Sequence, residues 1–175
     1  YCSGDATAMR AMLASPAVRL ALMIEGQEGV TWEDWVALAD ACEEHGVAAL
    51  FRSDHYISGF DETRPVLDAW ATIAGLAART TKLELGTLVS PGTFRHPSLL
   101  ARNAATADEI SGGRVVLGMG AGWMKREHDA YGFDFATTRG RVARFAEQLE
   151  IVHDLFRKDS VDFHGAHYRL HDAPG

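Results

Sequence analysis

The chain has 175 residues, of which 47% are hydrophobic and 23% are charged, proportions typical of one soluble globular domain with a hydrophobic core. Its formal charge of −7, without any basic run, argues against a nucleic-acid or anionic-membrane partner. Every apolar run falls short of the ~18 residues that a transmembrane helix needs, so we expect a protein that does not cross a membrane.

The first residues and the cysteines bear on the cellular location. Residues 1–17 lack the basic-then-apolar order of a secretory signal, and we predict a disordered leader followed by one domain over residues 18–175. Cys2 and Cys42 are too few for a disulfide framework, and Cys42 falls on the apolar face of a predicted helix, as a buried free thiol does. We therefore expect a cytoplasmic protein.

Strands and helices alternate along the chain. Val18–Ile24 and Val47–Phe51 are short apolar runs that predict buried strands of a parallel sheet. Between them, Thr31 with Asp34 three residues later predicts a capping box at the start of a helix, and Gly46 predicts the end of that helix. The remaining predicted elements are a helix over Pro65–Thr80, a strand over Leu83–Val89, a helix capped by Ser98 and closed by Gly112, a strand over Val115–Leu117 that runs into a glycine loop, a helix over Thr138–Phe156 and a hairpin over Val161–Leu170.

The spacing of the four strands indicates the fold class. They begin near residues 18, 47, 83 and 115, close to the roughly 31 residues per unit of an eight-fold βα barrel. Alternation of this kind requires a parallel sheet with right-handed crossovers. The sequence therefore predicts an α/β fold of the (β/α)8 TIM-barrel type, with about the first four βα units and a small β-hairpin present. Since half a barrel leaves two apolar strand edges open, the chain is part of a longer one, dimerises, or forms an open four-stranded sheet.

Polar residues and glycines gather where each predicted strand ends. Glu25 follows the first strand, Asp54 and His55 follow the second, Thr87–Ser90 end the third, and Gly118–Trp123 follow the fourth. Because the carboxyl ends of parallel strands meet at one edge, where α/β enzymes place their chemistry, we expect the functional site there. For Asp54 and His55 taken alone, a solvated turn is the alternative.

Other kinds of site fit the sequence less well. The triplet Gly118-x-Gly120-x-Gly122 follows a strand, but Trp123 stands where a dinucleotide-binding fingerprint needs its third glycine. The sequence has neither a nucleophile elbow nor a Walker loop, which argues against covalent serine chemistry and phosphoryl transfer. We predict no metal site, because three histidines of the alternating hairpin do not share one face: His164, His167 and His171.

Several ordered motifs between about residues 19 and 170 resemble the luciferase-like monooxygenase superfamily of flavin- and deazaflavin-dependent oxidoreductases. They are LALMIEGQEG (20–29), FRSDH (51–55), LGTLVSPGTFRHP (85–97), ISGGRVVLGMGAGW (110–123), EHDAYGF (127–133) and FHGAHYRL (163–170). The Ser-Asp-His end of the second strand is most similar to the branch that depends on coenzyme F420. The resemblance implies a (β/α)8 barrel with the cofactor ring lying across the carboxyl edge of the strands.

The resemblance also implies roles for individual residues. Asp54 and His55 match a pair that faces the cofactor ring, and the histidine is expected to move a proton or to hold the ring. Leu88 and Val89, directly after Thr87, match a bulge in strand three that often contains a non-prolyl cis peptide and presses against the ring. The glycines of Gly118–Trp123 match a loop beside the ring, and we expect Trp123 to contribute to the same cofactor site.

One departure from the family pattern bears on the substrate. The sugar-phosphate dehydrogenase branch has a carboxylate acid after the glycine loop, where this chain has Trp123, which argues against a sugar-phosphate substrate. We expect Glu25, or else Glu127, to be the acid instead. The predicted function is hydride transfer between F420 and a small organic substrate in a homodimer. The alternatives are an FMN-dependent monooxygenase, a non-catalytic half-barrel and a metal-dependent barrel hydrolase.

Overall fold

Residues 18–175 are described by the structure, a computed structural model, and the leader predicted for residues 1–17 lies outside them. Four parallel strands form one sheet in the order β1-β2-β3-β4, and a two-stranded antiparallel hairpin follows them in the chain. The strands are β1 Ala21–Ile24, β2 Ala49–Arg52, β3 Glu84–Pro91, β4 Val115–Gly120, β5 Ser160–His164 and β6 Arg169–Pro174. The helices are α1 Trp32–His45, α2 Ala69–Arg79, α3 Pro97–Ser111, α4 Lys125–Tyr131 and α5 Thr138–Leu155.

A continuous apolar row crosses the sheet and forms its core. The register pairs Leu22 with Leu50, Leu50 with Leu85, and Leu85 with Val115. Helices α1, α2 and α3 cover this sheet with buried residues that include Trp35, the deepest aromatic side chain of the core. Consecutive strands that pair in parallel, each joined to the next through a helix, confirm the predicted βα units.

The structure corrects several predicted boundaries. Strand β1 begins at Ala21 rather than Val18, whose side chain is 99% exposed, so the apolar run at residues 18–20 is not buried. Helix α2 begins at Ala69 rather than Pro65, because the carboxylate of Asp68 accepts the backbone N–H of Ala71 and caps the helix there. Strand β4 continues to Gly120, since its last residues pair with β3 beyond the bulge.

Helix α3 and the segment after β4 also differ from the prediction. The cap of α3 is His96, whose ring accepts the backbone N–H of Ser98, while Pro97 occupies the first turn; Ser98 is therefore inside the helix. Helix α4 was not predicted, because it has only seven residues and no apolar periodicity. The capping box of Thr31 and Asp34 and the left-handed Gly46 at the end of α1 are confirmed.

Helix α5 joins the hairpin to the rest of the fold. Ile151 and Val152 of α5 pack against Val161, Tyr168 and Leu170 of the hairpin in a second apolar cluster. The three hairpin histidines that we excluded as a metal site are exposed. Residues 18–175 contain no group of three or more His, Cys, Asp or Glu side chains arranged to hold a metal ion. Across the same residues, each helix is too short or too polar to cross a membrane. Cys42 is buried, as predicted, and burial raises the pKa of its thiol.

The turn between α2 and β3 depends on one carboxylate. Glu43 of α1 accepts the backbone N–H groups of Thr81 at 2.7 Å, Lys82 at 2.6 Å and Leu83 at 3.1 Å. Burial favours the neutral acid, but these hydrogen bonds outweigh it and lower the pKa of Glu43 from 4.5 to about 2. Because the folded-state pKa lies below the unfolded value, the stabilisation is complete above pH 4.5 and disappears as the pH falls towards 2.

We expect Glu43→Gln to lower the free energy of unfolding at pH 7 by about 1 kcal/mol. This value is at the low end for hydrogen bonds to a charged group, because water reaches the carboxylate. The difference from the wild type should shrink between pH 4.5 and 2 in urea unfolding curves. Glu44→Gln, which alters the exposed neighbour on the same helix, serves as the control and should match the wild type at each pH. An unchanged stability of Glu43→Gln at pH 7 would contradict the assignment.

Candidate functional site

A cavity of about 430 Å³ lies at the carboxyl ends of the four parallel strands. Each strand leads its following residues to this edge, so segments far apart in the sequence meet there. Most of the lining is apolar or aromatic, with ionisable groups at a few positions. The cavity is lined by Met23, Glu25, Gln27, Glu28, Ser53, His55, Gly59, Phe60, Leu88, Val89, Pro91, Phe94, Gly122, Trp123, Met124, Glu127 and His128.

His55 is held by a carboxylate from the other side of the cavity. Its Nδ1 lies 2.8 Å from Oε2 of Glu127, a residue of α4 that is fully buried. The other oxygen of Glu127 accepts the backbone N–H groups of Tyr56 and Ile57, the latter at 3.2 Å. The edge of the His55 ring meets the ring of Trp123, with centroids 5.8 Å apart and planes at 75°. The imidazole therefore has one fixed orientation.

Opposing influences act on the protonation of His55. Burial favours the neutral ring, but the hydrogen bond and the negative charge of Glu127 favour the imidazolium. The charges of Glu25 and Asp54 act in the same direction, and the pKa of His55 is raised above its usual value of 6.5. The environment thus favours the protonated form of His55 more than water would, and histidine is a side chain whose ordinary pKa suits proton exchange.

Asp54 lies behind the cavity in a buried polar network. Its Oδ2 accepts hydrogen bonds from Ser90 Oγ at 2.7 Å and from Arg95 Nη1 at 2.6 Å. The same guanidinium also donates to the Tyr56 hydroxyl at 2.7 Å and to Asp68 at 2.8 Å. Oδ1 of Asp54 is buried and has no hydrogen-bond partner among residues 18–175. Although Asp54 is fully buried and does not line the cavity, it anchors the strand end from which His55 projects.

Glu25 faces the cavity from the end of β1. It is exposed, and its Oε2 accepts a hydrogen bond of 2.8 Å from the amide of Gln27. Gln27 in turn accepts from the hydroxyl of Ser53, the residue that follows β2. This chain of hydrogen bonds connects the first two strand ends. Glu25 lines the same cavity as His55, together with Glu28 and Glu127.

The bulge of β3 forms an apolar wall of the cavity. The pairing of β3 with β4 shifts between Thr87 and Ser90, and the peptide bond between Leu88 and Val89 is cis, as the resemblance led us to expect. Leu88 and Val89 are 49% and 37% exposed although their neighbours Thr87 and Ser90 are buried. The two apolar side chains thus face the cavity, whereas Thr87 points into the fold and donates its hydroxyl to the carbonyl of Gly118 at 2.9 Å.

The glycines after β4 divide into two groups. Gly118 and Gly120 belong to the strand and do not line the cavity. A Cβ on Gly120 would lie 2.7 Å from Val89, and one on Gly118 would collide with the backbone carbonyl of Thr87, so both glycines allow the bulge to pack closely. Gly122, with a φ of 78°, and Trp123, 68% exposed, do line the cavity.

Sequence reasoning missed two contributors to the site. Glu127 was considered only as a substitute acid, yet it is the partner of His55. His128, the next residue, also lines the cavity, with Nδ1 at 2.8 Å from the Met124 carbonyl and Nε2 at 2.7 Å from the Thr93 hydroxyl. Both residues lie on α4, and the EHDAYGF motif was the available signal for this segment.

Comparison with known sequences connects this geometry to one family. A sequence model of the luciferase-like monooxygenase family matches residues 10–175. The chain is 34% identical over 141 residues to an F420-dependent glucose-6-phosphate dehydrogenase of Amycolatopsis mediterranei, which covers 80% of the chain and 42% of that enzyme. It is 37% identical over 142 residues to the enzyme of the same name from Mycobacterium avium, covering 79% of the chain and 42% of the relative. The chain thus spans less than half the length of these curated relatives.

Solved structures share the fold. An F420-dependent secondary alcohol dehydrogenase in complex with an F420-acetone adduct superposes with a TM-score of 0.79 at 22% identity, over 89% of this chain and 47% of that one. A monooxygenase from Streptomyces bottropensis, RslO1, gives a TM-score of 0.76 at 26% identity, over 89% of this chain and 48% of that one. The four βα units therefore correspond to slightly less than half of these chains, in agreement with the predicted TIM-barrel type.

Proposed function

Because the chain belongs to the luciferase-like monooxygenase family, we propose that it forms the cofactor-ring side of an F420-dependent oxidoreductase that transfers a hydride between the ring and a small organic substrate. The observation that carries this proposal is the cavity at the strand ends, where His55, paired with Glu127, faces the apolar wall of Leu88 and Val89. An apolar wall can bind a flat redox ring, and an imidazole in the same cavity can exchange a proton with the substrate beside that ring.

The similarity to F420-dependent dehydrogenases favours F420 over FMN. Curated relatives that bear this name are 34% and 37% identical to the chain, whereas the monooxygenase structure is 26% identical. FMN-dependent monooxygenation is the alternative within the same family. The net charge of −7 favours a small-molecule substrate over nucleic acid. We also propose that the protein is cytoplasmic and forms a homodimer.

The residues of the cavity fit a deazaflavin ring. Leu88 and Val89 are large apolar side chains left exposed within a concave site, as expected where a flat ligand covers them. Gly122 allows the chain to pack closely on the side chain of Thr93 while it lines the cavity, and Trp123 adds an aromatic surface to the same cavity. We therefore assign the holding of the ring to Leu88, Val89, Gly122 and Trp123.

The ionisable side chains complete the proposed chemistry. Bound F420 supplies a ring that accepts or returns a hydride. His55 accepts or returns the proton that accompanies this hydride on the substrate, and Glu25 is a second acid within the cavity. Asp54, which precedes His55 at the end of β2, fixes this strand end through its hydrogen bonds from Ser90 and Arg95. The apolar wall keeps water from the reacting atoms.

Native mass spectrometry of the protein purified from a host that makes both F420 and FMN tests the proposal. We expect the chain to carry a deazaflavin mass. Val89→Asp should lower F420 affinity at least 10-fold, since it places a charge on the apolar wall, whereas Val142→Asp on the exposed face of α5 should bind as the wild type does. An FMN mass would instead support the monooxygenase alternative. If neither cofactor were retained nor bound on addition, the half-barrel would be non-catalytic and the proposal would be overturned.

A further inference from the structure

The two oxygens of Glu127 have separate partners. Oε1 accepts the backbone N–H groups of Tyr56 and Ile57, and Oε2 faces Nδ1 of His55 at 2.8 Å. Backbone amides are fixed donors that cannot reverse their role. A carboxylate, which only accepts, satisfies both sides at once, and His55 must then place its hydrogen on Nδ1.

The second ring nitrogen of His55, Nε2, is available to bind a ligand in the cavity. Nε2 makes no hydrogen bond to residues 18–175, and the side chain of His55 lines the cavity. With Nδ1 occupied, Nε2 is a bare acceptor in the neutral ring and a donor in the imidazolium. The full burial of Glu127 keeps water from competing for Nδ1.

We propose that Glu127 is a positioning residue that fixes the tautomer of His55, so that Nε2 is the one ring nitrogen exchanging a proton with a ligand in the cavity. Glu127 also balances the positive charge of the imidazolium, in accord with the raised pKa of His55. The idea that this proton serves catalysis rests on the proposed function. The tautomer itself is a property of the chain without cofactor and can be tested separately. This assignment replaces the expectation that Glu127 acts as the acid itself.

Several charged groups surround His55, and a titration of His55 must distinguish their effects on its pKa. Glu127 contacts it from α4, Glu25 faces it from the end of β1, and Asp54 adjoins it, already paired with Arg95. Glu28 and His128 line the same cavity. Among residues 18–175, Glu127 is the one group that bonds to the ring, so we expect it to control which nitrogen is protonated.

The test is ¹H–¹⁵N NMR of the histidine-labelled, cofactor-free full chain, which distinguishes protonated from bare ring nitrogens. In the neutral wild type we expect the hydrogen of His55 on Nδ1. His128 provides an internal reference, because the Met124 carbonyl only accepts and so fixes the same tautomer there. A wild-type spectrum with the hydrogen of neutral His55 on Nε2 would overturn the proposal, even if every variant failed to fold.

Glu127→Gln gives the sharper result. Its amide oxygen must turn towards the two backbone N–H groups, which leaves the NH₂ group to donate to Nδ1 of His55. The hydrogen of His55 should therefore move to Nε2, and the pKa of His55 should fall by about one unit or more with the loss of the opposite charge. A variant that folds and keeps the hydrogen on Nδ1 would overturn the proposal.

Glu28→Gln is the matched control. It removes a carboxylate from the same cavity, but Glu28 bonds to Ser58 and Gly59 rather than to His55. The tautomer of His55 should stay unchanged, and its pKa should move by less than about a third of a unit at the larger separation. Inversion of the tautomer in Glu28→Gln would mean that the cavity charge in general, and not Glu127, controls the ring. These spectra stand apart from cofactor binding, so a failure of the proposed function would leave them unaffected.

Discussion

Replacing His55 by alanine should slow turnover with F420 by about 100-fold or more, the usual contribution of a positioned acid–base group. In the wild type, burial lowers the pKa of His55, but Glu127 outweighs burial and raises it, and the side chain of His55 lines the cavity. Alanine removes the proton carrier while it leaves the apolar wall of Leu88 and Val89 intact. The change of rate with pH that is caused by protonation of His55 should be absent in the variant.

The measurement is the rate of F420 reduction at saturating cofactor with two trial substrates, a secondary alcohol and glucose 6-phosphate, which are the substrate types in the names of similar proteins. His171→Ala is a suitable control, since this histidine is exposed on the hairpin and far in the sequence from the strand ends. Its turnover should equal that of the wild type. Turnover of His55→Ala within twofold of the wild type would remove proton transfer from the role of this residue.

Replacing Asp54 by alanine should lower the free energy of unfolding by about 3–5 kcal/mol, the range observed when one partner of a buried ion pair is removed. Asp54 is fully buried, and the side chain of Arg95 is only 11% exposed. Without Asp54 the guanidinium keeps the Tyr56 hydroxyl and the half-exposed Asp68, but loses its buried counter-charge. Ser90 also loses the acceptor of its hydroxyl.

Urea unfolding followed by circular dichroism measures this effect. Glu62→Ala, which removes the exposed ion pair with Arg126, is the matched control and should cost less than about 1 kcal/mol. A loss below 1 kcal/mol in Asp54→Ala would show that the network is not a major source of stability.

Local patterns in the sequence predicted the elements better than their ends. Thr31 and Asp34 are three positions apart within one helical turn, so a capping box between them can be predicted without the fold. The start of α3 was misplaced because both His96 and Ser98 are polar, and only the turn geometry shows that His96 caps the helix and Ser98 lies within it. Val18 looked like strand by composition, but no neighbouring segment among residues 18–175 buries it.

The cavity itself followed from a topological rule. Because parallel strands share one direction, the expectation that Glu25, His55 and Trp123 meet at one edge needed only the order of the elements, and all three line the cavity. The same rule was too coarse for Asp54, Thr87 and Gly118. These residues also lie at strand ends, but they do not line the cavity. The side on which each residue of a strand lies depends on the strand register and on the bulge of β3, which the order of the elements does not give.

By itself, the sequence determined the βα alternation, the sheet edge that bears the candidate site, and the family, because each of these depends on short-range periodicity or on motifs in a fixed order. Tertiary structure alone decided that Glu127 pairs with His55, 72 residues away, and that Arg95 pairs with Asp54, 41 residues away. Such pairs have no period or spacing in the chain. They form where packing brings two buried polar groups together and where each must find a partner to offset its loss of water.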